Sequence, residues 1–435
     1  MLNYIWLALI LLAVVIGGVQ GKMEAVTKEA IDRASFAVVN LALPLAGIMT
    51  LWLGVMRLAE RAGLVRVLAR ALRPLLRRLF PDVPAEHPAM GAMVMNMAAN
   101  LLGLGNAATP LGLRAMKLLD SLNPRPGTAT NAMCTFLAIN TASLQLIPIT
   151  AIGVLAAAGS KNPTAIVGTA LLASFTAACC AIAAVKLYAR LPWYQLEPAG
   201  PAERAAPEPA PEPEPELPEP PALTKTGLVA LAAFLGLFVW LFARLVWAPG
   251  ADAAAEGLFV RVVKAVSLLA IPFLLSVIPL VAALRRVKVY EEFIEGAKEG
   301  FHTAVRIMPY LVAILVAIGM FRAAGGIEML TLLLAPVLDV IRFPTELVPM
   351  AFMRPLSGSG SLGVLTDIAR VHGADSLLAR TAATIFGSTE TTFYVLAVYF
   401  GSVNVRRTRH ALAAGLTADV VGIGAAVIIC RVMFG

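Results

Sequence analysis

Charge is scarce in this 435-residue sequence. Asp, Glu, Lys and Arg together make up 14% of it, against 59% hydrophobic residues. With a mean hydropathy of +0.80, a soluble globular chain of this length is excluded. Cysteine is nearly as scarce: Cys134, Cys179, Cys180 and Cys430 all fall in apolar segments, without a CxxC or Cys/His spacing. They read as small buried hydrophobes rather than a disulfide framework or a metal site. Several motifs are missing altogether. No Walker A sequence is present, and Gly103 and Gly105 lie inside an apolar segment rather than after a strand. Ser359 has no G-x-S-x-G elbow and no evident base nearby. Nothing points to an enzyme or to a cofactor. His87, His302, His372 and His410 lie beside loops and receive no role.

What is present is a series of long apolar runs separated by basic clusters. The net charge of +8 is therefore the signature of a polytopic bacterial inner-membrane protein obeying the positive-inside pattern, not of a nucleic-acid partner. The run from Leu2 to Gly18 has no charged n-region and no small-residue cleavage site after it, so it reads as a retained span. A charged segment, Lys22 to Arg33, and a span from about Ser35 to Met56 follow. Arg57 to Arg78 interleaves arginines with Leu and Val at helical spacing, the pattern of a helix lying on the membrane surface. Residues 90–116 are apolar on both sides of a polar knot at Gly103 to Pro110. Each arm is shorter than the roughly 20 residues a crossing needs, which predicts a re-entrant hairpin. Thr128 to Ala158 is long enough to cross but carries Asn140, Thr141, Ser143, Gln145 and Pro148, so a broken helix is expected.

Three parts follow from this pass. Residues 1–195 form an N-terminal membrane repeat, 196–224 a Pro/Glu-rich solvated linker, and 225–435 a C-terminal membrane repeat. The second repeat copies the grammar of the first. Lys298-Glu299 opens a span as Lys28-Glu29 does, and an amphipathic stretch from Gly326 to Ile341 replaces the Arg-rich helix. A polar hairpin at Ser357 to Gly363 and a polar-interrupted span, Leu377 to Tyr399, come next. With the hairpins counted as re-entrant, one orientation places the N-terminus, Arg57 to Arg78, the linker and the Arg406 to Arg409 cluster in the cytoplasm, and Asp252 and Glu256 outside. The fold class is then an all-α polytopic membrane protein, an inverted repeat with re-entrant helical hairpins and broken transmembrane helices. If each hairpin crossed the bilayer instead, the repeats would be parallel.

Paired breaks in inverted repeats are where secondary transporters place a midplane site. The candidate substrate-binding residues are Asn100, Asn106, Thr109, Asn140, Thr141, Gln145, Ser357, Ser359, Ser361, Ser388, Thr389, Glu390 and Thr391. Amides and hydroxyls both donate and accept, which suits a small polar or anionic solute or an ion. Glu390 stands apart, because a carboxylate inside a span marks an ion, proton or substrate path by default, or else a buried partner for Arg354. The two hairpins are expected to reach in from opposite faces and meet beside Asn140 and Glu390. The partners implied are that solute and the lipid bilayer, with no nucleic acid; a homodimer is compatible with the pattern. Small polar residues also lock membrane helices together, so a non-transporting scaffold is the alternative function.

Two pairs of segments add a resemblance. NMAANLLGLGNAATPLGLRAM (96–116) and TNAMCTFLAINTASLQLIP (130–148) resemble spore maturation protein A. RPLSGSGSLGVLTDIA (354–369) and GSTETTFYVLAVYFGSVNVRRTRHAL (387–412) resemble spore maturation protein B. Both are nucleoside-recognition, or Gate-domain, membrane proteins, and the chain looks like a fusion of the two. The resemblance implies an association with spore core dehydration and a likeness to parts of nucleoside and ferrous-iron transporters.

Overall fold

The computed structural model describes residues 2–84, 86–102, 105–195, 221, 223–248, 257–326, 329 and 342–435. The linker from 196 to 220, Asp252, Glu256 and most of the 326–341 stretch lie outside the described residues. The chain is all-helical, and five of its described helices are long and apolar enough to cross a membrane.

In the first half, α1 (Leu2–Val19) leads into α2 (Met23–Phe36), which passes through a wider π-type stretch, Ala37–Ala42, into α3 (Leu43–Arg61). The charged segment and the second span are thus one continuous helix, Met23–Arg61. The reason is that residues 23–36 carry no Pro or Gly and bury Val26 and Arg33 on one side. Next come α4 (Leu64–Leu79), the pair α5 (Pro88–Leu101) and α6 (Gly105–Asp120), the pair α7 (Asn131–Ala142) and α8 (Ile149–Ala157), and α9 (Ile166–Tyr188). The second half holds α10 (Lys225–Trp247), α11 (Leu258–Leu284) and α12 (Val289–Ala323). The pair α13 (Val348–Leu356) and α14 (Gly358–His372), the pair α15 (Leu377–Ser388) and α16 (Thr392–Gly401), and α17 (Ala411–Phe434) complete it. Polar caps set the starts of the short helices. Thr130 accepts the Met133 N–H at 3.2 Å, Ser357 that of Gly360 at 3.0 Å and Ser376 that of Ala379 at 3.1 Å.

Equivalent helices of the two halves touch each other, and they do so antiparallel. Along α2–α3 and α12, Glu292 pairs with Arg57 at 3.2 Å and Arg61 at 3.0 Å, Gly300 faces the Met49 carbonyl, and Gly319 packs on Arg33 of α2. Residue numbers rise on one helix as they fall on the other. Likewise the Tyr188 and Thr417 hydroxyls of α9 and α17 lie 3.0 Å apart, while Ala177 packs on Gly422 further along. Parallel repeats would bring equivalent helices together in the same direction. Antiparallel contact requires a two-fold axis in the membrane plane, so the halves form an inverted repeat, and the hairpins α5–α6 and α13–α14, with arms of 14, 16, 9 and 15 residues that are shorter than a crossing needs, enter from opposite faces.

The α3–α12 contact depends on small residues. A Cβ built on Gly296 would stand 2.5 Å from the Leu53 carbonyl oxygen and 2.6 Å from Arg57 Cβ, and backbone cannot yield as a flexible side chain can. Gly296→Val is expected to cost about 1–3 kcal/mol. Thermal unfolding of the detergent-purified protein checks it.

Loops of the two halves are also tied at each face. Arg409, just before α17, donates to the Tyr194 and Ala129 carbonyls. On the other face Asp375, just before α15, accepts from the Ser160 hydroxyl at 2.7 Å and the Lys161 N–H at 2.9 Å. Those bonds, the Lys161 N–H first, pull the Asp375 carboxyl from 3.8 down to about 2. A depressed carboxylate stabilises the fold above its unfolded pKa and loses that contribution as pH falls through the folded one. Asp375→Asn should therefore flatten the acid dependence of stability between about pH 4 and pH 2, as read by thermal unfolding across that window.

Candidate functional site

The two broken helices cross at their breaks. Ser143 turns the chain out of α7 in the left-handed region, with φ of 39°, and the path stays non-helical to Pro148, where α8 starts. In the second half, Thr389 to Thr391 separate α15 from α16. Backbone groups freed by each break find partners across the molecule, as a membrane interior requires. The Glu390 N–H donates to the Thr141 carbonyl at 2.7 Å, and the Leu146 N–H to the Leu101 carbonyl of the first hairpin at 2.9 Å. Arg354, at the end of α13, donates to the Thr389 carbonyl.

Arg354 and Glu390 form the charged centre. The Arg354 guanidinium lies 3.8 Å from the Glu390 carboxylate and stacks over Phe386 at 4.6 Å. Their exposure differs: the Arg354 side chain is 3% accessible and that of Glu390 is 41%. The arginine is sealed in protein, while the carboxylate faces open space. Ser143 Oγ and Gln145 Nε2 approach it only at 3.4 Å each, so its capacity to accept is largely unspent. Behind them, Thr392 donates to buried Asp419 at 2.5 Å, and the other Asp419 oxygen has no hydrogen bond among the described residues.

Two cavities adjoin this centre. One, of about 150 Å³, is lined by Pro148, Thr150, Arg354, Gly358 and Phe386. The other, of about 240 Å³, is lined by Asn100, Thr109, Asn140, Tyr394 and Tyr399. The first is built on the hairpin α13–α14 with α8, the second on the hairpin α5–α6 with α16. They share two residues, Gln145 and Glu390. Among the described residues no group of three or more His, Cys, Asp or Glu is placed to hold a metal ion.

A model of the family described as Gate, nucleoside recognition, matches residues 42–191 and 304–406, more than half of the chain and most of both sets of broken elements. The chain belongs to the nucleoside-recognition (Gate) family. This Gate protein is similar to Spore maturation protein B of Bacillus subtilis (strain 168), 43% identical over 175 residues that cover 40% of this chain and 98% of that protein. It is also similar to Spore maturation protein A of the same organism, 42% identical over 174 residues, 40% of this chain and 88% of that protein. The two matches describe a chain in which an A-like and a B-like protein are fused. The YdaH transporter of Alcanivorax borkumensis overlays on 99% of this chain and 96% of its own, with a TM-score of 0.42 at 14% identity, a likeness too distant to carry an argument.

In this Gate protein the structure brings Asn100, Thr109, Asn140, Gln145 and Glu390 to one cavity. Others of the predicted set line neither cavity. Thr141 is buried and offers its carbonyl to Glu390; Ser357 caps α14; Ser361 and Ser388 bond back to the Ser357 and Ile385 carbonyls. Ser359 shares a hydroxyl contact with Ser357 at 3.3 Å, and Thr389 and Thr391 are buried at the second break. The hydroxyls of Ser357, Ser361 and Ser388 serve the backbone of the breaks, because a helix start or interruption leaves groups that the nearest short polar side chain satisfies, whereas the Thr389 hydroxyl has no hydrogen bond among the described residues. Asn106 lies on α6 with its side chain outside the described residues, as do Gly103 and Leu104 at the tip. The tip of the first hairpin, where the two hairpins are expected to meet, lies outside the described residues; each hairpin lines its own cavity, and Gln145 and Glu390 line both.

Sequence reasoning missed three parts. Tyr394 and Tyr399 line the larger cavity, five residues apart on α16, where aromatic residues look like ordinary lipid-facing or core positions. Asn96 donates to the Ala108 carbonyl at 2.7 Å, holding the hairpin closed. Asp367 is 1% exposed, its carboxylate paired with Arg33 at 2.7 Å and with Arg322.

Proposed function

We propose that the chain is a secondary transporter of a small polar solute in the bacterial inner membrane, with the solute held at the midplane between the two re-entrant hairpins. One observation carries this reading: two cavities, each built on a different hairpin, share Gln145 and Glu390 in their linings. Side chains that border both cavities can open a path between them by rotamer change, whereas packed backbone cannot. The inverted repeat supplies the second requirement, because exchanging the conformations of the halves exchanges which chamber is open. The sequence has no nucleotide-binding motif, so transport is not driven by ATP bound to this chain, and Glu390 is a candidate coupling group. The basic clusters orient the molecule with its N-terminus and the 196–224 linker in the cytoplasm, between membrane repeats 1–195 and 225–435.

The names of the two Bacillus relatives favour a second reading, a non-transporting scaffold in spore or envelope maturation. Reconstitution separates the two. Proteoliposomes holding the full chain are expected to take up at least one solute from a panel of nucleosides, amino acids, amines, dicarboxylates and metal ions, saturably and above empty liposomes. Absence of uptake and of thermal stabilisation by every member of that panel would leave the scaffold.

A further inference from the structure

The larger cavity shows which way its amides point, and that direction identifies the chemistry it accepts. A backbone carbonyl can only accept, so an amide bonded to one must present its NH2 there. Asn96 donates to the Ala108 carbonyl at 2.7 Å and Asn140 to the Phe136 carbonyl at 2.9 Å, which leaves the side-chain oxygens of both as acceptors. Asn100 takes up both, its Nδ2 lying 3.5 Å from Asn96 Oδ1 and 2.9 Å from Asn140 Oδ1. The NH2 of Asn100 is therefore spent, and its Oδ1 has no hydrogen bond among the described residues. Gln145 is oriented by the Glu390 carboxylate, which also accepts rather than donates: its Nε2 points toward that carboxylate at 3.4 Å and to Ser143 Oγ at 3.1 Å, leaving Oε1 without a partner among the described residues. Side chains that in isolation could donate or accept are thus biased to accept.

Three groups with unspent oxygens, Asn100, Gln145 and Glu390, line one cavity of about 240 Å³. That is room for on the order of eight waters. Tyr394 and Tyr399 line the same space, and aromatic faces attract cations. The compensating positive charge, Arg354, is 2% exposed and lines the other cavity. An anion entering the larger chamber would meet a carboxylate and amide oxygens.

We propose, resting on the transport reading above, that the larger cavity binds a small solute bearing a primary ammonium group, its N–H donors directed at Glu390, Gln145 Oε1 and Asn100 Oδ1. This sharpens the broader class of polar or anionic solutes and removes anions from it.

The test is calorimetric binding to the purified full chain, with four probes: ethanolamine, tetramethylammonium, uridine and succinate. Ethanolamine is expected to bind, uridine and succinate not to, and tetramethylammonium, which carries the charge without an N–H, to bind more weakly. Glu390→Gln should weaken ethanolamine binding roughly tenfold to hundredfold, the range for a hydrogen bond to a charged group. Gln145→Glu, which adds negative charge, should tighten it, and it decides the matter if Glu390→Gln does not fold. Binding of succinate or uridine in place of ethanolamine, equal binding of tetramethylammonium, or unchanged affinity in Gln145→Glu would overturn the ammonium assignment while leaving transport standing. Binding of none of the four by folded protein overturns the ammonium assignment, and the transport reading then stands or falls on proteoliposome uptake of the wider panel.

Discussion

Asp367→Ala is expected to cost about 3–5 kcal/mol of stability, the loss associated with removing one member of a buried ion pair. Asp367 is 1% exposed on α14, Arg33 is 3% exposed on α2, and Arg322 approaches from α12. Deleting the carboxylate leaves two guanidiniums facing each other, with Glu29 alone among the described residues paired to Arg33. The effect reaches beyond local packing, because this cluster ties the second hairpin to the long antiparallel pair formed by α2–α3 and α12. Asp367→Asn should fall between the two proteins, since an amide can still accept from the guanidiniums but carries no charge. Chemical or thermal unfolding in detergent, compared across the three proteins, measures the series. Equal stability of Asp367→Ala and the parent would mean that the cluster is solvated.

The second large effect concerns Arg354. Arg354→Met keeps much of the side-chain length and its packing on Phe386 but removes the donor to the Thr389 carbonyl and the positive charge beside Glu390. A loss of about 2–3 kcal/mol is expected, less than for a pair buried on both sides, because the half-exposed Glu390 can rehydrate through its cavity. Asp419 cannot, being 1% exposed. Adding Glu390→Gln to Arg354→Met should restore part of the stability, since the uncompensated carboxylate is then gone. A double-mutant cycle reads that coupling directly, and strict additivity would show that the two side chains do not interact.

Much of this architecture was legible in the sequence. Gly, Ser and Pro at 103–110, 143–148 and 357–361 cannot continue a lipid-exposed helix, so the breaks announce themselves locally. The arginine clusters at 57–78 and 406–409 imply the inverted arrangement, which the antiparallel contacts of α3 with α12 and of α9 with α17 bear out. The site was harder to read because hydrogen-bond direction is not a property of the residue alone. Asn100 reads as both donor and acceptor until the Ala108 and Phe136 carbonyls fix its neighbours. Asp367 shows no partner within its own segment; α2 and α12 deliver Arg33 and Arg322 to it from far along the chain. Ser357 and Ser388 looked like ligands because the breaks need short polar side chains for their own backbone, and sequence cannot separate those that cap from those that face a cavity. The continuity of Met23–Arg61 was hidden for a similar reason: its charged first turns look like a loop unless Arg33 is known to be buried.

The central claim is that Gln145 and Glu390 form a thin partition between two chambers reachable from opposite sides of the membrane. Labelling of a single cysteine at position 145 tests it most directly, in a background where Cys134, Cys179, Cys180 and Cys430 are replaced by alanine. A membrane-impermeant maleimide is applied to right-side-out and to inside-out vesicles. The account predicts labelling from both sides, slowed by a bound solute. Failure to label from either side, in protein shown to be folded, would contradict it and describe a dry, packed scaffold.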